Sequence, residues 1–404
     1  MSSSKSGLSK KRLKRLRDTA ERYVEAGQVA GAITLVERRG ETFVDVIGLA
    51  DRERGTPLKR DAIFRIASMS KPITAVAAMI LVEEGRLRLD EPVDRLLPEL
   101  ADRKVLTDIA GPLKDVVPAI RPITLRDLLT FRMGFGMIIG PPGAETPIQK
   151  AMAEHQIMGL KPQPPHEPDA WMAHFGQLPL MHQPGERWMY HTGSDVLGVL
   201  IARASGQGFE SFLKQRIFEP LGMDDTGFSV SPGKLGRLTS CYQVNPETRA
   251  LELYDDAEDS IWARPPAFPA GGGGLVSTLD DYLAFGRMML GKGALAKERI
   301  LSRPSVETMT TDQLSDEQKA VSPFFPGFWA ARGWGFGVSM STRRIGLAST
   351  PGRFGWDGAF GTSWASDPAE DMIGILMIQR MGFGPEPAGI GADYWTMAYQ
   401  AIDD

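Results

Sequence analysis

The chain has 404 residues, of which 42% are hydrophobic and 24% are charged, so disorder throughout is excluded. Its one cysteine, Cys241, excludes an intramolecular disulfide framework and any cluster held by several thiolates. The formal net charge of −4 does not favour a nucleic-acid partner. The apolar run over residues 75–82 is far shorter than the ~20 residues that span a bilayer. We therefore expect a soluble protein without a membrane span.

The N-terminal stretch is strongly basic. Seven lysines and arginines, and no acidic residue, lie between Lys5 and Arg17. Apolar residues near helical spacing in and behind this run predict an amphipathic helix with a solvated basic face. A targeting or anion-binding element is the alternative interpretation. Because no apolar segment of a secretory signal follows, and the chain has a single cysteine, the sequence favours the cytoplasm.

Strands and a helix follow this stretch. The runs 32–37 and 42–48 are apolar and β-branched, and the four residues between them predict an antiparallel hairpin. Residues 73–84 predict a strong helix that ends at Gly85.

The middle of the chain differs from both ends. Prolines interrupt helical pieces between about residues 87 and 205, which predicts a mostly helical insertion. The ends predict one antiparallel sheet flanked by helices, and therefore an α+β fold. The expected domains are 1–86 with 206–404, and 87–205, with the active site in the cleft between them. The remaining predicted segments are helices at 124–130, 194–204 and 390–402 and strands at 335–340, 361–366 and 372–379.

The sequence has a cluster of histidines and a run of glycines, and neither has the spacing of a known metal or phosphate site. The five histidines lie within one window, but no pair has the i, i+4 spacing of a helical zinc site, so we predict no metal site. The glycine run 271–274 lacks the Gly-Lys-Ser/Thr of a phosphate loop and predicts a flexible turn or a close approach of backbones. The histidines are His155, His166, His174, His182 and His191.

One S-x-x-K tetrapeptide, Ser68-Met69-Ser70-Lys71, has the spacing of serine acyl-enzymes. It follows a strand-like segment and opens the apolar helix, whose first turn would bring Lys71 to the Ser68 hydroxyl. The helix dipole would also favour negative charge on that oxygen. A serine that only caps the helix is the alternative, and the motif alone leaves both open. The same spacing occurs without this context at Ser2, Ser211 and Ser231.

Several further motifs follow one another along the chain in the order found in a known superfamily. Residues 64–72, the tyrosine segment 184–190 and the Gly-Trp-Asp-Gly at 355–358, together with 271–281, strongly resemble the serine β-lactamase and penicillin-binding-protein superfamily. The resemblance spans about residues 25–400. It is closest to the branch that contains class C β-lactamases and family VIII carboxylesterases, and it implies a β-lactamase/transpeptidase-like fold.

The resemblance implies a covalent mechanism. Ser68 would be the nucleophile, and Lys71 and Tyr190 would share its proton, with the base at each step left open. Serine needs a base within about 3 Å, and burial favours the neutral lysine that can act as one. The implied activity is hydrolysis of small-acyl carboxylic esters through a Ser68 acyl-enzyme. Its only implied partner is a small-molecule ester, with no cofactor and no metal.

The resemblance also implies an oxyanion site. The backbone N–H groups of Ser68 and Ala359 would be its donors. Gly358 would avoid crowding the substrate, and Trp356 occupies the W-x-G position where β-lactamases carry K-T-G.

Two departures weigh against lactam hydrolysis. Thr192 stands where the tyrosine motif of β-lactamases ends in asparagine, and residues 131–134 replace a common His-Thr-Ser-Gly. The alternatives are an acyltransferase or an amide or β-lactam hydrolase with the same triad. A non-catalytic binding protein on this fold is a further one.

Overall fold

The structure of the protein is a computed structural model that describes residues 5–138, 145–322, 324–382 and 389–404. The helices are α1 (Lys10–Glu25), α2 (Ser70–Glu83), α3 (Leu125–Leu129), α4 (Pro147–Glu154), α5 (Pro168–Gly176), α6 (Thr192–Ser205), α7 (Phe209–Leu213), α8 (Glu219–Leu221), α9 (Leu279–Leu290), α10 (Arg303–Met309), α11 (Asp316–Ala320) and α12 (Ile390–Gln400).

The strands are short except where they form the main sheet. They are β1 (Gly31–Arg38), β2 (Glu41–Asp51), β3 (Thr56–Pro57), β4 (Phe64–Arg65), β5 (Lys104–Leu106), β6 (Val116–Pro118), β7 (Cys241–Val244), β8 (Leu251–Asp255), β9 (Val276–Ser277), β10 (Ala294–Leu295), β11 (Glu298–Arg299), β12 (Arg332–Trp334), β13 (Ser339–Ser341), β14 (Phe354–Asp357), β15 (Ser363–Asp367) and β16 (Met372–Met377).

The main sheet is antiparallel and joins the two ends of the chain. Within the described residues it has eight strands in the order β12-β13-β14-β15-β16-β1-β2-β3. The central pair is β1 with β16, in a register that sets Ile33 opposite Met377. The expected sheet from both chain ends is therefore present, and the predicted α+β fold class is confirmed.

Helices cover both faces of the sheet. Side chains alternate along a strand, so Ile33 and Leu35 of β1 face the large core that also holds α2, α6 and α9. Ala32 and Val36 face the opposite way and pack with α1 and α12. Because β1 is covered on both sides, all of its residues are buried.

The predicted N-terminal elements are present. The basic amphipathic stretch is helix α1, and the hairpin is β1–β2. Helix α2 begins at Ser70, earlier than predicted, because Pro72 is tolerated in a first turn whose N–H groups have no intrahelical acceptor. Gly85, with φ +69°, follows its end. Helices α3, α6 and α12 match the other helical predictions within a few residues.

The prediction of one strand at 335–340 is wrong. The chain forms two strands there, β12 and β13, joined by a turn in which the Gly335 N–H bonds the Val338 carbonyl and Gly337 has φ +70°. The Gly-Trp-Asp-Gly motif precedes a strand, as expected, but its first three residues also lie on β14. Apolar residues interleaved with glycine predicted one continuous strand because they match an alternating pattern as well as a hairpin does.

Long apolar helices are absent from the described residues, where no helix could cross a membrane.

Candidate active site

Ser68 lies on the 3-10 turn Ala67–Met69 that leads directly into α2. Its side chain is almost fully buried, and Ala67 before it has a φ of +43°, a strained value for a residue with a side chain. Neither this turn nor α2 has a side-chain N-cap, so Ser68 is not a capping serine. Its neighbour Ser70 instead bonds the Ala67 carbonyl and accepts the Leu275 N–H.

Lys71 is buried beside the Ser68 hydroxyl. Its Nζ lies 2.9 Å from Ser68 Oγ and 3.1 Å from His191 Nδ1, and it donates to the Gly272 carbonyl. Burial lowers the pKa of Lys71 to about 7, while the Asp195 carboxylate opposes that change. A substantial fraction of Lys71 is therefore neutral near pH 7, the form that can accept a proton.

A second set of polar groups surrounds Lys71. His191 Nε2 lies 3.2 Å from Asp195 Oδ2, and the Gly272 N–H donates to Asp195 Oδ1 at 2.8 Å. Burial lowers the pKa of His191, and the nearby Lys71 lowers it further. We call Lys71, His191, Asp195 and Gly272 the polar wall.

The sequence did not indicate the contacts of His191 with Lys71 and Asp195. His191 is one of the five histidines and follows Tyr190 directly, and Asp195 lies five residues after Tyr190. The expected close approach at the glycine run is observed, since a Cβ on Gly272 would lie 2.8 Å from Asp195 Oδ1. The adjacency of His191 to the tyrosine motif was the available signal.

Tyr190 is buried beside both Ser68 and Lys71. Its hydroxyl accepts the indole N–H of Trp356 at 2.6 Å, and Lys71 Nζ lies 4.5 Å from its ring centroid. Burial raises the pKa of Tyr190, and hydrogen bonds with Ser68 and Trp356 oppose this only partly. Tyr190 is therefore a neutral phenol near pH 7.

Aromatic rings enclose Tyr190. Trp188 stacks on it at 5.5 Å, Phe131 meets it edge-on at 5.7 Å, and Trp356 lies 5.6 Å away. Trp334 packs edge-on against Trp356 at 4.7 Å. We call Tyr190, Phe131, Trp188, Trp334 and Trp356 the aromatic wall.

The predicted oxyanion segment lies next to the turn Ala67–Met69, which carries Ser68. A Cβ on Gly358 would stand 2.4 Å from the Ile66 carbonyl oxygen and 2.2 Å from Thr362 Oγ1. Neighbouring protein atoms therefore require glycine at position 358. The sequence had led us to expect that the substrate imposes this requirement. Among the described residues, the Ala359 and Ser68 N–H groups have no hydrogen-bond acceptor.

The other histidines lie apart from this site. His155 Nδ1 is 3.1 Å from His174 Nδ1, and His166 stacks on His174. His182 lies near Glu186. Within the described parts of the chain, no group of three or more His, Cys, Asp or Glu residues could hold a metal ion.

A comparison with known protein families finds a match over most of the chain. A family model described as Beta-lactamase matches residues 16–393. The chain belongs to the Beta-lactamase family. The predicted resemblance is thereby confirmed.

Relatives of this Beta-lactamase family member cover most of its length. Protein Rv1367c of Mycobacterium tuberculosis is 41% identical over 362 residues, covering 88% of this chain and 87% of that protein. Esterase EstB of Burkholderia gladioli is 31% identical over 371 residues, covering 87% of this chain and 86% of that protein. Among solved structures, "EstCE1, a hydrolase with promiscuous acyltransferase activity" matches with a TM-score of 0.77 at 23% identity, covering 97% and 98% of the two chains. The β-lactamase/transpeptidase-like fold is confirmed.

Proposed function

We propose that this Beta-lactamase family member is a serine carboxylesterase that acts through a Ser68 acyl-enzyme. The observation that carries the proposal is the 2.9 Å contact between Ser68 Oγ and the buried Lys71 Nζ, whose pKa is lowered to about 7. A neutral amine at hydrogen-bond distance is what an unactivated serine hydroxyl needs. The relative named Esterase EstB supports the same class of reaction.

The two walls suggest an order for the proton transfers. Lys71 accepts the Ser68 proton as Oγ attacks the ester carbonyl, and the Ser68 and Ala359 N–H groups donate to the oxyanion. Tyr190 keeps its proton because burial raises its pKa, so it is suited to donate to the departing alkoxide. A water molecule then attacks the acyl-Ser68 carbonyl and gives one proton to the Tyr190 phenolate. When the acyl–Oγ bond breaks, the acid is released and Lys71 returns its extra proton to Ser68.

The aromatic wall favours neutral, apolar esters. Its rings offer apolar surface, and within the described residues Lys71 is the only cation recorded against the Tyr190 ring. A small acyl ester such as p-nitrophenyl butyrate fits this character. The same acyl-enzyme could instead pass its acyl group to an alcohol, so acyl transfer is the second candidate.

We also propose the division into domains 1–86 with 206–404, and 87–205, with the site between them. Ser68, Lys71 and Trp356 come from the first set of segments, whereas Tyr190 and His191 come from the second. Their convergence at Ser68 supports a cleft at this boundary.

A cytoplasmic location completes the proposal. The lone Cys241 is buried and has no second cysteine to pair with. A chain without disulfides suits a reducing compartment. Fractionation of cells that produce the protein tests it.

A serine-reactive fluorophosphonate tests the proposed function directly. We expect it to label wild-type protein at Ser68, located by mass spectrometry, and to block hydrolysis of p-nitrophenyl butyrate. Ser211→Ala is the matched control, because Ser211 has the same S-x-x-K spacing but is exposed on α7. Wild-type protein that neither labels at Ser68 nor hydrolyses any ester of a panel would support the non-catalytic alternative. Product analysis with added alcohols separates hydrolysis from acyl transfer.

A further inference from the structure

We propose that His191 and Asp195 are positioning residues that orient the amine of Lys71, so that its lone pair faces the Ser68 hydroxyl. The inference rests on the proposed function, because it assigns Lys71 as the base. It adds an Asp–His pair to the serine, lysine and tyrosine. Neither residue touches the reacting bond, and both act through Lys71.

The first step is the tautomer of His191. The Asp195 carboxylate can only accept hydrogen bonds, and its Oδ1 already accepts the Gly272 N–H at 2.8 Å. Its Oδ2 lies 3.2 Å from His191 Nε2, so that nitrogen carries the ring proton. In the neutral imidazole, Nδ1 is then an acceptor. Asp195 thus fixes which side of the ring faces Lys71.

The second step is the direction of the Lys71 lone pair. A neutral amine has two N–H groups and one lone pair. The Gly272 carbonyl can only accept a hydrogen bond, and the unprotonated His191 Nδ1, 3.1 Å from Nζ, can also only accept one. The two N–H groups of Lys71 therefore donate to these two acceptors. The third contact of Nζ is Ser68 Oγ at 2.9 Å, and it receives the lone pair. The Ser68 O–H therefore points at the base before substrate binds.

The proton transfer needs no group beyond Ser68, Lys71 and the ester. The Ser68 O–H bond breaks, and the proton bonds to the lone pair of Lys71 as a third N–H. The electron pair left on Oγ bonds to the acyl carbon, while the π pair of the ester carbonyl moves onto its oxygen and makes the oxyanion. The resulting ammonium keeps its donations to Gly272 and His191. Neither acceptor has to reorient during the step, which is the property of a preorganised site.

Protonation of His191 would destroy this arrangement, because Nδ1 would then present a donor to Lys71. The groups that face the imidazole are the Lys71 amine, the Asp195 carboxylate and the neutral Tyr190 ring 6.0 Å away. Burial and Lys71 both lower the pKa of His191 and outweigh Asp195, so the ring stays neutral at pH 7.

The backbone at His191 gives independent support. Its φ of +90° and ψ of −69° lie outside the regions that a residue with a side chain ordinarily adopts. Such strain persists only where the surroundings impose it, and it is concentrated at functional sites. Here it places the imidazole between Lys71 and Asp195 while the preceding Tyr190 faces Ser68.

Two substitutions of His191 provide the main test. In His191→Asn the amide oxygen takes the place of Nδ1 and can still accept from Lys71, whereas His191→Phe fills the space without an acceptor. We expect His191→Phe to lower kcat for p-nitrophenyl butyrate by roughly 10²-fold with KM little changed, and His191→Asn to recover most of the loss. His182→Phe is the matched control and should retain wild-type kcat. A His191→Phe variant with wild-type kcat, or an asparagine variant no better than phenylalanine, overturns the proposal.

Asp195→Asn supplies a second readout that a purely structural role would not change. The carboxylate raises the pKa of Lys71, so its removal should move the acidic limb of the kcat–pH profile to lower pH. The plateau should fall as well, because an amide cannot accept from both Gly272 and His191. A lower plateau with an unmoved limb contradicts the positioning role.

Fluorophosphonate labelling distinguishes failure of the esterase proposal from failure of the positioning proposal. Wild-type protein that does not label refutes the esterase. Equal labelling rates in wild type and His191→Phe refute only the positioning role.

Discussion

The polar wall and the aromatic wall meet at Ser68, and burial shifts the pKa of Lys71 and the pKa of Tyr190 in opposite directions. In the polar wall it removes the charge of a cation and lowers the pKa of Lys71 to about 7. In the aromatic wall it penalises an anion and raises the pKa of Tyr190. The same loss of water therefore makes the Lys71 amine available as a base near pH 7 and keeps the Tyr190 phenol protonated to a higher pH than an exposed tyrosine. One physical cause can thus prepare both partners of a proton transfer.

The largest effect is expected when the Ser68 hydroxyl, which contacts both walls, is removed. We expect Ser68→Ala to lower kcat for p-nitrophenyl butyrate by roughly 10⁴-fold or more, because no second nucleophile remains. Adding Lys71→Ala should then cost little more, since the two act as a unit. Steady-state kinetics with thermal unfolding as the folding control measures this. A variant that keeps more than a few per cent of wild-type kcat refutes the assignment.

Substrate choice tests the apolar character of the aromatic wall. Trp356 stands where the family resemblance places a lysine that holds the carboxylate of a β-lactam. A lost attraction between unit charges at ~4 Å is worth roughly 1 to 4 kcal/mol, which is up to about three decades in kcat/KM. We therefore expect p-nitrophenyl butyrate to be strongly preferred over nitrocefin. Arg353, which directly precedes the strand of Trp356, does not take the place of that lysine, because its guanidinium stacks on the Trp395 ring. Similar kcat/KM values on one preparation contradict the prediction.

Tyr190→Phe keeps the ring in the aromatic wall and removes only the phenol proton. We expect kcat to fall by roughly 10²-fold, the usual scale of general acid–base catalysis, with little change in stability. Kinetics and thermal unfolding on the same protein check both parts. An unchanged kcat would show that Tyr190 is only part of the wall.

The pH profile addresses the polar wall alone. Below pH 7 the amine of Lys71 becomes charged and cannot accept a proton, so kcat should fall about tenfold per pH unit once the pH is well below the pKa of about 7. On the alkaline side no loss is expected near pH 9, since burial raises the pKa of Tyr190. A kcat that stays constant from pH 5 to pH 8 would exclude Lys71 as the base.

The smallest effect concerns the single polar contact within the aromatic wall. Trp356→Phe removes the N–H that bonds the Tyr190 hydroxyl, at a cost of about 1 kcal/mol or roughly fivefold in kcat. Trp334→Phe is the matched control, because its indole N–H has no acceptor among the described residues. Equal kcat values for the two variants would show that the Trp356 hydrogen bond contributes nothing.

Local patterns predicted the parts of the fold that depend on short stretches of sequence. The spacing of apolar residues and the turn or capping residues beside them predicted helix α1, the β1–β2 hairpin and helix α2 to within a few residues. The hairpin at β12–β13 did not, because apolar residues interleaved with glycine also match a single strand.

Only those residues of the candidate site that lie in recognisable sequence motifs could be predicted. The spacing of Ser68 and Lys71 on one turn is a local property, and the resemblance supplied Tyr190, Trp356, Gly358 and Ala359 as candidates. The contact of Lys71 with His191 joins residues 120 positions apart, and no local pattern indicates it. The role assigned to Asp195 depends on His191 in turn, so both emerged only from the folded chain.

The pairing of β1 with β16 has a consequence for biosynthesis. Ile33 and Met377 are separated by 344 residues (377 − 33), so the centre of the sheet cannot close until nearly the whole chain has left the ribosome. At about 5–20 residues per second, the far edge of β1 would wait roughly 17 to 70 seconds for its partner. During that interval the β1–β2 hairpin presents an unpaired, apolar edge, a known hazard for aggregation. A chain stopped before β16 would hold Ser68, Lys71 and Tyr190 in sequence and still lack the strand that completes their scaffold.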